Sequence, residues 1–222
     1  MADGRDIKCW DDHANDCEEE KRKPFEFETN IPVEGDESTG YPHVPSKNKT
    51  WLRETLESLE DVTDVLDIGC GPCFWINLFE GYRYYGFDQS PRMNEVAYKV
   101  LKDNDLLDRM VEIRNGNART LLESFPEKKF DLIFTSAVLQ HNRHYPDKQE
   151  IVQGMHSILR EGGYYLCTEN TFRADNMPAS IGHPDYTDGN SFTPEGWEKF
   201  MRENGFETIE FHHPSEYLYR RI

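Results

Sequence analysis

No stretch of this 222-residue chain approaches the roughly 18 uncharged apolar residues that a membrane-spanning helix needs. The opening MADGRDIKCWDD has no apolar segment of the secretory kind, and the chain is expected to work in the cytoplasm. Positive charge is scarce as well: 25 Lys and Arg stand against 42 Asp and Glu, a formal net charge of −17. The acids are spread along the chain, and such a surface repels phosphate backbones, which argues against nucleic acid as a partner and favours neutral or cationic ligands. Cysteine is too sparse and irregular for a disulfide scaffold. The five, Cys9, Cys17, Cys70, Cys73 and Cys167, are an odd number at uneven spacing, which fits reduced thiols. Apolar residues make up only 36%, but 13% aromatics and clear helix and strand patterns exclude general disorder. No internal repeat or long low-complexity segment is present. The length suits one domain with a substantial core and a short decoration.

What is present becomes regular from Asn48 onward. Residues 1–47, acidic and punctuated by Pro24, Pro32, Pro42 and Pro45, read as an N-terminal appendage, and 48–222 as the domain. Trp51, Leu52, Leu56 and Leu59 share one face of a helix that leads into the strand DVLDI. CFWINLFEG reads as a short helix ending at Gly81, and YRYYGFD as a second strand. Ser90 reads as an N-cap with Pro91 at the first helical position. MVEIRN and FDLIFTSAVL read as strands three and four. Asp147 and Glu150 suggest a capping box before a helix that Gly162 and Gly163 stop, and YYLCTEN is strand five. Residues 171–192 form a polar loop long enough to be a lid or a substrate wall. Thr193 and Pro194 then start a helix that ends at Gly205, and FETIEFHH and EYLYRRI close the chain as a hairpin. Strands separated by helices should be parallel and the closing hairpin antiparallel, so the sheet is mixed.

The sharpest signal is VLDIGCGPCFW, residues 65–75: an apolar strand, a carboxylate, then Gly69 and Gly71. Strand, glycine turn and helix N-terminus together offer free backbone N–H groups to a polar ligand. The dinucleotide fingerprint asks for a third glycine three positions after the second, where this chain has Phe74, so a nicotinamide-dependent oxidoreductase is a distant reading. The segment resembles the first motif of class I S-adenosylmethionine-dependent methyltransferases. YYGFDQS resembles the second motif of that family, IRNGNA its adenine loop and FDLIFTSAVLQHN its fourth-strand motif, all in order over residues 48–222. CWDDHANDC also resembles the Trp-Asp-x-x-Ala-x-x-Tyr helix that precedes the core in small-molecule members, with Cys17 in the place of Tyr. Cys73 stands where a third glycine often follows, and Asn117 where an acid is frequent.

The resemblance implies a Rossmann-like α/β fold, a seven-stranded mixed sheet with helices on both faces, and S-adenosyl-L-methionine as cofactor. It implies that Asp67 favours the ammonium of the methionyl tail and that Gly69, Cys70 and Gly71 line the cofactor. By the same resemblance Asp88 takes the ribose hydroxyls with Gln89 beside the adenine, Asn117 and Ala118 frame the base, Ser136 passes near the methyl, and Trp10 helps to cover the pocket. Methyl transfer is an in-line displacement in which a base is needed only when the acceptor must lose a proton. Histidines titrate near neutrality, and His141, directly after the fourth strand, is the leading candidate base beside His144, Tyr145, Glu169, His183, Asp185 and Tyr186. Packing or loop hydrogen bonding is the bland alternative for His141. FTSAVLQ lacks the acid that metal-assisted O-methyltransferases place after strand four, so no catalytic metal is expected; Cys9, His13 and Cys17 share a helical face but lack a fourth ligand for zinc. The expected reaction puts a methyl group on oxygen or nitrogen of a small-molecule acceptor. A glycan, lipid or peptide acceptor, and a cofactor-binding scaffold without turnover, remain the alternatives.

Overall fold

A computed structural model describes residues 4–19, 21, 23–24, 46–142, 145–169, 186–187, 191–192, 194–213 and 216–222. The expected β1 (Asp64–Ile68), β2 (Arg83–Asp88), β3 (Met110–Asn115), β4 (Phe130–Ser136) and β5 (Leu159–Thr168) are all present. A two-residue pair, β6 (Tyr186–Thr187) and β7 (Ser191–Phe192), makes a separate small hairpin, and β8 (Phe206–His213) and β9 (Glu216–Arg221) close the chain. The main sheet has seven strands in the order β3-β2-β1-β4-β5-β9-β8, parallel up to β5 and antiparallel from there. From β1 the chain moves outward through β2 to β3 and then returns to the other side of β1 as β4. The reversal leaves a crevice at the carboxyl ends of β1 and β4, where open α/β sheets bind ligands.

Alternation along β1 decides which face each residue serves. Leu66 and Ile68 enter a core with Ile133, Ile151, Met155 and Trp197, while Val65 enters the opposite core with Leu52, Trp75, Phe79 and Leu132. Those cores are covered by α2 (Ser46–Ser58), α3 (Pro91–Asp103), α4 (Leu121–Ser124), α5 (Tyr145–Ile158) and α6 (Pro194–Glu203), so both faces carry helices. At the amino ends, Asp131 ties neighbours together: one oxygen accepts the N–H groups of Thr63 and Asp64 at 3.0 and 2.8 Å, the other Arg160 Nε at 2.8 Å.

Several boundaries differ from expectation. Residues 76–79 form one short 3-10 helix after a run of turns, with Gly81 left-handed beyond it. The expected capping box is absent: α5 begins at Tyr145, inside its own first turn Asp147 is already helical, and both Asp147 and Glu150 pair with Arg119. Gly162 and Gly163 do not stop α5, which ends at Ile158; they lie within β5. Ser90 caps α3 as expected, its oxygen accepting Met93 N–H at 2.9 Å, with Pro91 at the first position. Gly205 is left-handed after α6, as expected. Residues 25–45 and most of the 171–192 loop, with Asn170, His144, His183 and Asp185, lie outside the described residues.

The segment CWDDHANDC is helical, within α1 (Gly4–Glu19). Ala14 and Cys17 are buried against Phe74, Met93, Val96 and Val100, and Trp10 packs beside them. Charge steers the same contact: Glu18 pairs with Arg92 and Lys99, and Arg92 Nε donates to Asn15 at 2.9 Å.

Candidate active site

The glycine turn leaves β1 with Gly69 at φ +70° and Gly71 at φ +51°, backbone that favours glycine. The two glycines do different work. A Cβ on Gly69 would lie 2.4 Å from Val138 Cγ2, so its missing side chain makes room for the segment after β4. A Cβ on Gly71 would meet nothing nearer than Met93 at 3.9 Å, so it is the backbone bend that asks for glycine there. Gly71 N–H donates to Asp88 Oδ2 at 3.0 Å, and Ser90 N–H to Asp88 Oδ1 at 2.9 Å. The carboxylate at the end of β2 is thereby locked across the turn. Burial pushes the Asp88 carboxyl up from its ordinary value; the amides of Ser90, Gly71 and Gln89 oppose this, and the charge of Asp11 adds to it.

Asp67 sits beneath the turn rather than on it. It is 1% exposed, and its Oδ2 accepts the Tyr84 hydroxyl at 2.7 Å. Burial pushes its carboxyl up to about 8, against the Tyr84 hydrogen bond and with help from the Asp88 charge. Without a ligand, burial thus favours the protonated form; the contact with a ligand ammonium that the resemblance implies, directly or through water, would have to offset that burial. Cys70 is buried in the same place, its thiol pushed well up by its hydrogen bond with Cys73 and by burial. Cys73 itself has φ +60°, so the position where a third glycine often stands keeps glycine's backbone with a cysteine in it.

Asn117 and Ala118 lie after β3, where Asn117 Oδ1 accepts Arg119 N–H at 2.9 Å and so caps a short 3-10 turn; a second lone pair remains for a base amino group. Gly116 N–H and Asn115 Nδ2 both donate to the Asp88 carbonyl at 3.0 Å, which draws this loop against Asp88 and Gln89. Ser136 closes β4, its Oγ accepting Thr168 Oγ1 at 2.9 Å.

The segment after β4 is held from below. Ala137 takes a left-handed φ of +58° and donates to Thr168 O at 2.9 Å. Glu169, fully buried, accepts Val138 N–H at 2.9 Å and Leu139 N–H at 3.0 Å, and the buried Lys148 amine donates to the Leu139 carbonyl. Burial pulls the Lys148 amine down to about 8, against the Glu169 and Asp147 charges. Each Glu169 oxygen thus accepts one amide of the loop, and the side chain supports that backbone from below.

His141 is exposed at the outer end of this segment, and its ring meets Trp10 edge-on with centroids 4.8 Å apart. Asp11, the next residue of α1, accepts the Ser90 hydroxyl at 2.5 Å. One turn of α1 therefore touches the segment after β4 through Trp10 and the end of β2 through Asp11, spanning the crevice mouth. His13 Nε2 and Cys17 Sγ are 3.9 Å apart, and no cluster of three metal-ligating side chains occurs among the described residues.

Sequence reasoning placed Asp67, Gly69, Gly71, Asp88, Gln89, Asn117, Ala118 and Ser136 on the loops around one crevice end, and the structure brings them there. It missed Tyr84 beneath Asp67, the Ser90–Asp11 link and the role of Lys148 and Glu169. It also passed over the pairing of Cys70 with Cys73, which a two-residue spacing signals directly.

A family described as methyltransferase domain matches residues 66–167. Demethylmenaquinone methyltransferase of Geobacillus stearothermophilus is 32% identical over 128 residues, 54% of this chain and 52% of that protein. Trans-aconitate 2-methyltransferase of Escherichia coli O7:K1 is 30% identical over 129 residues, 55% of this chain and 46% of that protein. The chain spans about half the length of the curated relatives it matches. Among solved structures, an O-methyltransferase family protein from Burkholderia thailandensis superposes with a TM-score of 0.58 at 14% identity, covering 97% of this chain and 70% of that one. Magnesium protoporphyrin IX methyltransferase from Synechocystis, solved with its methyl donor bound, gives 0.55 at 16% identity over 78% of this chain and 76% of that one. Motif order, strand order and these matches agree: residues 66–167 match a methyltransferase domain, and the sheet has the Rossmann-like fold of the methyltransferases it superposes on.

Proposed function

We propose that this chain transfers a methyl group from S-adenosyl-L-methionine to an oxygen or nitrogen of a small-molecule acceptor. The observation that carries the reading is the lock between Gly71 N–H and the Asp88 carboxylate at the crevice mouth, with α1 across it. A carboxylate fixed across the turn, with two acceptor oxygens, suits two neighbouring ribose hydroxyls. Gly69, Cys70 and Gly71 would line the methionyl portion, with Asp67 supporting the turn from below. Gln89, Asn117 and Ala118 would flank the adenine, Ser136 would lie near the reacting centre, and Trp10 would close the pocket from α1. Bound there, the cofactor supplies an electrophilic methyl on a sulfonium.

The residues' part is to align and to exclude water, which accounts for much of the rate in an in-line displacement. His141 would receive a proton from an acceptor that must lose one, on a segment that Glu169 and Lys148 hold in position. The acceptors named for the relatives, demethylmenaquinone and trans-aconitate, are chemically unlike each other, so the acceptor is sought by assay. A cytoplasmic site of action agrees with the absence, among the described residues, of any helix long and apolar enough to cross a membrane.

Calorimetric titration with S-adenosylmethionine tests the first step. Binding by the native protein, weakened about tenfold or more in Asp88→Ala, is expected from loss of hydrogen bonds to a charged group. Absence of heat with the native protein would sink the reading. A metabolite panel scored for transfer of labelled methyl then separates an enzyme from a cofactor-binding scaffold.

A further inference from the structure

The thiols of Cys70 and Cys73 are the part of the glycine turn that methyl transfer leaves without a task. They bracket it as Cys70-Gly71-Pro72-Cys73, the spacing at which thiols commonly join. The turn is closed by Cys73 N–H to Cys70 O at 2.9 Å. In such a four-residue turn the outer Cα atoms lie within about 7 Å, which overlaps the separation of roughly 4.4–6.8 Å that a disulfide requires. Both side chains lie in one buried cluster with Tyr84, whose hydroxyl holds Asp67. Cys73 stays in left-handed backbone at φ +60°, a conformation unfavourable for a non-glycine residue. Glycine would be unstrained there, yet the place holds a thiol across one turn from a second.

We propose that Cys70 and Cys73 form a reversible dithiol–disulfide site that controls cofactor binding, oxidised by a low-molecular-weight disulfide of the glutathione type. One cysteine sulfur attacks a sulfur of the small disulfide, breaking its S–S bond and expelling a thiolate. The second cysteine sulfur then attacks the mixed disulfide and expels the other thiolate. The two protons lost by the cysteines go to the two expelled thiolates, so the pair is oxidised by two electrons as the small disulfide becomes two thiols. A bond of about 2.05 Å is far shorter than the approach of two unbonded sulfurs, so the side chains must close on each other across the intervening turn. Gly71 lies in that turn, and its N–H holds Asp88. Cys70 and Cys73 are 4% and 0% exposed, so exchange requires the turn to open and is slow; ligand seated on the turn protects the pair. The effect on binding rests on the proposed cofactor reading, whereas the chemistry of the pair does not.

The test equilibrates the full-length protein for hours in glutathione buffers from reducing to strongly oxidising, then traps free thiols with iodoacetamide in denaturant and maps peptides by mass. The peptide holding both residues should lose two hydrogens and take up no alkyl group in oxidising buffer, with dithiothreitol reversing this. S-adenosylmethionine should bind the oxidised form about tenfold more weakly, the loss of one hydrogen bond to a charged group. Binding by Cys73→Ala, or by Cys73→Ser should the first variant fold poorly, should be the same in both buffers. A pair that stays fully alkylatable in the most oxidising buffer overturns the proposal, as does an oxidised pair that binds the cofactor like the reduced one. Should the reduced protein bind no cofactor, the functional reading and the control of binding both fall, and the peptide map still decides whether the disulfide exists.

Discussion

At Asp67, burial outweighs charge. Its carboxyl is pushed up to about 8, far above the ordinary 3.8 expected in the unfolded chain. Between those values the folded state holds a proton that the unfolded state has released. The stability contributed by this group is therefore complete below about pH 4 and is lost progressively as pH rises to about 8. Asp67→Asn keeps an acceptor for Tyr84 and does not titrate, so its stability relative to the native protein should be greater at pH 8 than at pH 5, as read by urea unfolding at both. Gly69 is a second strict position. Gly69→Ala meets both the left-handed backbone and Val138, and should lower unfolding stability by about 2–4 kcal/mol. The sequence marked Asp67, Gly69, Gly71 and Asp88 as special because their types and spacing reflect the turn itself. It did not distinguish the sealed carboxyl from the open one, because that depends on Tyr84, a neighbour brought in by the next strand.

Among the elements, α3 was readable to the residue, since Ser90 and Pro91 encode its start locally. The start of α5 was not, because Asp147 and Glu150 answer to Arg119, a tertiary partner, rather than to their own helix. The end of α5 was misplaced for a related reason: Gly162 and Gly163 look like stops, but β5 needs Leu159 beside Phe130 and begins earlier. The segment after β4 depends on side chains distant in sequence. Glu169→Ala leaves two amides without their acceptor and should cost about 2–4 kcal/mol in urea unfolding, while Glu169→Gln, keeping one acceptor oxygen, should cost less. The helix α1 was visible in sequence only through the pattern Trp10, Asp11 and Ala14, and its seat on α3 was not. Trp10→Ala removes its ring contact with His141 and should raise the dissociation constant for S-adenosylmethionine about tenfold by calorimetry, with the fold intact by circular dichroism.

For the whole molecule, the mixed character of the sheet followed from the alternation of strands and helices and the short closing connection, whereas the order of its strands was not read from the sequence. The acceptor did not follow, because specificity resides in loop side chains rather than in the sheet. Net charge makes a prediction of its own. At −17 the surface repels itself, and moving from low salt to physiological ionic strength contracts the screening length to about 8 Å. The melting temperature should rise by about 2–4 °C, equivalent to roughly 1 kcal/mol for a domain of this size, by scanning calorimetry. The Glu18 pairs with Arg92 and Lys99 on α1 pull the other way, but partly exposed pairs contribute little. A flat or falling curve would mean that pairs of this kind outweigh the general repulsion.

Val138 occupies the space that a side chain on Gly69 would need. The turn after β1 and the segment after β4 thus share a single joint: neither can slide without shoving its opposite, and the walls that the proposed function gives to donor and acceptor would be assembled, or dismantled, together.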